Sequence, residues 1–118
     1  PEKVAQIAAS FGIKQFVYVS ALGVDKATGS KYARSKALGE RAVLAALPTA
    51  TILRPSVIFG PEDNFINQFA CMASIAPALP LIGGGRTRFQ PVYVADVASA
   101  VHSCLKQADA AGQIYELG

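Results

Sequence analysis

Residues 13–22, IKQFVYVSAL, decide how this chain folds. From Phe16 to Val19 the run is apolar without a break and made of β-branched and aromatic residues, the composition of a strand. A strand with one face in water would alternate apolar with polar; the unbroken run predicts a parallel strand covered on both faces. Toward the N-terminus, Val4, Ile7, Ala8 and Phe11 recur at helical spacing behind Pro1, and Gly12 supplies a helix stop. Toward the C-terminus, GVDKATGS (residues 23–30) is a polar loop whose Ser30 is placed to cap a helix. That helix runs from YARSK (32–36) into ALGERAVLAAL (37–47).

The same alternation continues. TATIL, from about Thr49, predicts a second buried strand, ended by Arg54-Pro55 because proline cannot extend a central ladder. GPEDNFINQF (60–69) turns at Gly60-Pro61 into a helix with Phe65, Ile66, Phe69 and Met72 on one face and Asp63 as its cap, stopped by Pro77 and Pro80. LIGGGRTRFQPVYV (81–94) reads as a glycine loop leading into a short strand. ADVASAVHSCLKQ (95–107) is a helix with Val97, Ala100, Val101, Cys104 and Leu105 facing inward, and QIYELG (113–118) closes with a strand. Strands alternating with helices imply parallel βαβ units and an α/β class.

Composition bounds the function. Across 118 residues, 52% are hydrophobic and 16% charged, with a mean hydropathy of +0.33, which is too apolar for disorder and high for a small domain with a full polar surface. One domain, residues 1–118, or part of one is expected. The net charge of +3 arises from scattered residues without a basic run or interleaved aromatics, so nucleic acid is not an expected partner. Cys71 and Cys104 lack disulfide-scaffold or metal-ligand spacing and read as buried, reduced thiols; no metal site is expected. No stretch approaches the ~20 apolar residues of a membrane span, and PEKVAQIAAS is neither a signal nor a transit peptide.

Tyr32 and Lys36 stand at i and i+4, about 40° apart around a helix and about 6 Å along it, so they share a face. A tyrosine ionises near pH ~10, and a neighbouring ammonium stabilises its phenolate, which gives the spacing a chemical purpose in proton transfer. Glu40, one turn further on, is placed to pair with Lys36 instead. Asp96 suits a helix N-terminus, His102 falls off the apolar stripe of its helix, and Arg86, Arg88 and Gln90 read as a solvated loop, with contact to a substrate or cofactor group at the cleft mouth as the alternative.

Several ordered motifs resemble the short-chain dehydrogenase/reductase superfamily in its extended and atypical branches. QFVYVSALG is similar to that family's fifth strand and serine-bearing turn, YARSK to its Tyr-x-x-x-Lys, LRPSVIFGP to its sixth strand with the turn against the nicotinamide, and RFQPVYVADVASAV to its following strand and helix. The wording VSALGVD, YARSKALGE and QPVYVADVA is most similar to the branch that serves respiratory complex I as a nucleotide-binding accessory subunit. The resemblance implies the C-terminal part of a Rossmann-like doubly wound parallel sheet with a small substrate-side subdomain. It also implies a nicotinamide dinucleotide, NAD or NADP, as cofactor. Tyr32 would then be the catalytic acid/base, Lys36 the ribose ligand, and Pro55, Ser56 and Val57 the lining of the nicotinamide face. Ser20 is the candidate hydroxyl, although the family position that bonds the substrate carbonyl falls nearest Ala21, one residue later.

The family's glycine-rich pyrophosphate loop, G-x-x-G-x-x-G, is not among these residues, and Gly83–Gly85 precedes a strand and so cannot serve as one. The chain is therefore expected to be the C-terminal half of a longer protein, inactive alone and prone to associate through the open edge of FVYVS. Two functions stay open for the whole protein. One is a cofactor-binding subunit or assembly partner of NADH:quinone oxidoreductase, cytoplasmic or peripheral at the inner membrane, on the matrix side in a eukaryote. The other is an active NAD(P)-dependent reductase, dehydrogenase or nucleotide-sugar epimerase.

Overall fold

Residues 1–26, 29–61 and 90–118 are described by the computed structural model. Helix α1 covers Glu2–Ser10 and stops where the sequence places its glycine. Gly12 sits at φ 69, its N–H donates to Ala9 O, and the Ile13 N–H reaches back to Ala8 O. This six-to-one closure uses the left-handed conformation that glycine adopts without a Cβ clash. Strand β1 follows at Val17–Val19. Helix α2, Lys31–Ala46, starts on the predicted cap, with Ser30 Oγ accepting from Ala33 N.

Strand β2, Thr51–Pro55, is buried at every residue. It lies centrally, pairing in parallel with β1 on one side and with β5, Ile114–Leu117, on the other. It reaches two residues beyond the expected end. Pro55 closes the strand, and its carbonyl accepts the Leu22 N–H at 2.9 Å, a role that needs no donor from proline. A separate parallel pair joins β3, Ile58–Phe59, to β4, Val92–Tyr93, and the Phe59 and Tyr93 rings meet at 5.4 Å between centroids, tilted by 48°. Helix α3 begins directly at Val94 and ends at Lys106, and a 3-10 turn at Ala108–Ala110 leads to β5.

The two faces of the sheet carry two cores. On one side, Ala5 and Ala8 of α1 and Val43 of α2 join Leu47, Ala50 and Ile52, with Phe16 and Tyr18 packed against them. On the other, Cys104 of α3 and Ala110 meet Leu53, flanked by Val17, Ala100, Val101 and Leu117. Period-two alternation along β1 and β2 sends successive residues to opposite sides. A parallel sheet covered by helices on both faces is a doubly wound arrangement.

Some expected faces differ. In α1 the buried side belongs to two alanines, while Val4, Ile7 and Phe11 are exposed, because small residues allow α1 to lie close against α2. In α3 Leu105 is 44% exposed, since Val97 and Cys104 already face the sheet and Leu105 lies a further 100° round from Cys104. His102 is exposed and Asp96 sits in the first turn, as their spacing implies. The Asp63-capped helix, the glycine loop, Cys71, Arg86 and Arg88 lie outside the described residues.

Candidate functional site

The C-terminal ends of three parallel strands define the site. Beyond β1 the Ser20 N–H donates to Leu53 O at 2.7 Å and the Leu22 N–H to Pro55 O, so the serine-bearing turn is tied to the end of β2. Beyond β2 the Ser56 N–H donates to Leu117 O at 2.7 Å, and Val57 O accepts from Val92 N. Ser20, Pro55, Ser56 and Val57 are thereby held along one edge.

Helix α2 carries the other two candidates. Tyr32, in its first turn, is 64% exposed. Lys36, one turn later, is half-buried with Nζ 5.7 Å from the centroid of the Tyr18 ring, a cation–π contact. Tyr18 approaches α2 so closely that a Cβ on Gly39 would lie 2.6 Å from its hydroxyl, so any larger residue there would force the ring to shift beneath Lys36. Tyr18, Ser35, Lys36 and Gly39 help to line a groove of about 430 Å³.

Sequence reasoning missed the charged cluster beneath. Arg54, 9% exposed, grips Glu40 with both arms of its fork, Nε to Oε1 at 2.9 Å and Nη2 to Oε2 at 2.7 Å. Its Nη1 meets Asp25 at 3.1 Å and Glu116 at 3.8 Å. Burial by itself would raise the Glu40 carboxyl, but the Arg54 hydrogen bonds and charge outweigh it and hold the group below its ordinary value. Glu40 is thus the partner of Arg54, and the alternative in which it pairs with Lys36 is set aside. A charge inside the apolar strand TILRP was the available signal, because a buried guanidinium requires a carboxylate.

Ser20 Oγ is buried without a hydrogen-bond partner. It lies near enough to Glu40 to help lower that carboxyl, although not in hydrogen-bonding geometry. Cys104 is buried, and burial raises its thiol. Among the described residues no group of three or more His, Cys, Asp or Glu could hold a metal ion, and no helix is long and apolar enough to cross a membrane.

The model of the NAD dependent epimerase/dehydratase family matches residues 2–118. This chain belongs to that family. Curated relatives include NADH dehydrogenase [ubiquinone] 1 alpha subcomplex subunit 9, mitochondrial, from Arabidopsis thaliana, 46% identical over 99% of this chain. The Mus musculus protein of the same name is 42% identical over 98%. The chain spans 30% of the length of each. Ceramide reductase from Caulobacter vibrioides is 38% identical over 72% of the chain and 26% of its own length. Among solved structures, a Bacillus halodurans protein described as an NAD-dependent epimerase/dehydratase superposes with a TM-score of 0.65 at 22% identity, covering 98% of this chain and 50% of that one. The epimerase/dehydratase fold read from the motifs is therefore the fold observed, and the resemblance to complex I accessory subunits is reproduced by these relatives.

Proposed function

We propose that this chain is part of a nicotinamide-dinucleotide-binding subunit, or assembly partner, of a respiratory NADH:quinone oxidoreductase. The observation that carries the reading is the cluster at the strand ends, with Lys36 set apart from it on α2, over the middle residue of β1. Pro55, Ser56 and Val57 leave the sheet beside the Ser20 turn, and α2 presents Lys36 with its ammonium resting on a neutral ring. Among the described residues no carboxylate lies within ion-pair distance of that ammonium, which leaves it free for ribose hydroxyls. These residues fit the nicotinamide and ribose end of NAD or NADP, and no phosphate contact is assigned to them. Similarity to the plant and mouse subunits named above supports the respiratory setting. The place of action would be the matrix side of the inner membrane in a eukaryote, or its cytoplasmic counterpart in a bacterium.

A second reading is favoured by Tyr32, which keeps its place four residues before Lys36 on α2. In it the whole protein is an active reductase, dehydrogenase or nucleotide-sugar epimerase: Tyr32 exchanges the proton, Lys36 holds the ribose, and Ser20 supplies a hydroxyl to the substrate oxygen. The buried Ser20 hydroxyl and the alanine after it favour binding over turnover, since losing one such donor costs about a hundredfold in rate. Calorimetric titration of the full-length protein with NADH and NADPH, beside a screen of carbonyl and sugar-nucleotide substrates, separates the two. Binding with little turnover is expected. Robust turnover abolished by Tyr32→Phe would establish the enzyme, and absence of binding by either nucleotide would overturn both.

A further inference from the structure

Tyr32, Lys36 and Glu40 follow one another at i, i+4 and i+8 along α2, a single stripe in which each residue is within reach of the next. Glu40 nevertheless makes no pair with Lys36, because both of its oxygens are taken by Arg54. Asp25 and Glu116 also face the guanidinium, at 3.1 and 3.8 Å from Nη1, and the Ser20 hydroxyl is buried alongside. Without Arg54, Glu40 would be a carboxylate 5% exposed and stripped of its counter-ion, a state that draws in any cation within reach. Lys36 is one helical turn away, and among the described residues its ammonium rests on the Tyr18 ring at 5.7 Å, a weak tether.

We propose that Arg54 is a positioning residue for Lys36: by occupying both oxygens of Glu40 it keeps the lysine ammonium off that carboxylate and available to the nucleotide. The inference rests on Lys36 being a nucleotide-binding group, as argued above. The buried pair thus does more than join α2 to β2. It removes the acidic group that shares the Lys36 stripe; Glu2 of α1 lines the same groove but makes no ion pair with Lys36.

Two measurements on the full-length protein test this. One is NADH affinity; the other is the rate at which an amine-reactive reagent acylates Lys36, followed by peptide mass spectrometry. A lysine held by a carboxylate keeps its proton and reacts more slowly. Arg54→Met is expected to weaken NADH binding about tenfold, the scale of one charged contact, and to slow acylation of Lys36. The double variant Arg54→Met/Glu40→Met, an apolar pair of similar volume, is expected to return both close to wild type. A folded Arg54→Met with wild-type labelling, or a double variant as slow as the single, overturns the proposal. Should Arg54→Met not fold, Arg54→Gln removes the charge but keeps an amide donor beside Glu40, and labelling of Lys36 at the wild-type rate in it is equally fatal. Failure of wild-type protein to bind NADH counts against the nucleotide reading alone, and the labelling comparison still decides the relation between Lys36 and Glu40.

Discussion

Arg54 and Lys36 are two cations with different energetic weight. Removing one member of a buried pair strands the other, so Arg54→Ala is expected to destabilise the folded protein by about 3–5 kcal/mol. Lys36→Ala, which removes only a partly exposed contact with a ring, is expected to cost about 1 kcal/mol or less. Denaturant titrations of both variants check the contrast, and equal losses would show that Arg54 is better solvated than its 9% exposure implies. The pair also fixes a pH dependence. Glu40 sits below its ordinary value of 4.5 in the folded state, so its contribution is complete above that value and is lost as the pH falls through the lower folded one. The stability gap between wild type and Glu40→Gln should therefore narrow on going from pH 6 to pH 3, and a constant gap would contradict the assignment. Little of this was legible in the sequence. Tyr32 and Lys36 declare themselves by local spacing, but the partner of Glu40 is chosen across the packing of α2 on β2, and a one-dimensional pattern offers Lys36 first.

Elements were legible where one local rule dominates. The unbroken apolar run gave β1, and Gly12 and Ser30 marked a helix end and a helix start that the backbone hydrogen bonds reproduce. Ser30→Ala should cost about 1 kcal/mol and speed hydrogen exchange at Ala33, whose N–H would lose its acceptor. Unchanged exchange there would mean that the first turn, and Tyr32 with it, is held by other contacts. The outward face of α1 was not legible, because Val4, Ile7 and Phe11 obey the same helical period as a buried stripe. Which stripe turns inward depends on how closely α2 approaches, and two alanines decide that. Strand β4 was legible as the short strand before the last long helix, whereas β3 was blurred into the end of β2 because a ladder two residues long has no period to detect.

At the scale of the molecule, β1 is the outermost strand on its side of the three-stranded sheet among the described residues, and Val19 is 38% exposed. An uncovered strand of this composition offers unpaired backbone groups to another chain. The polypeptide Pro1–Gly118 produced alone is expected to self-associate by sedimentation, and Val19→Lys, a charge at that strand's end, should shift it toward monomer. A monomeric wild type would show that the edge is covered. The short ladder of Ile58–Phe59 against Val92–Tyr93 has a different kind of consequence. It holds Ile58–Phe59 against Val92–Tyr93, so the chain leaves and rejoins the scaffold at one place beside the strand ends. That junction is a latch of two residues on each side, in a ladder separate from the three-stranded sheet and from the Arg54 tie, so loosening it would part the two chain ends without touching either.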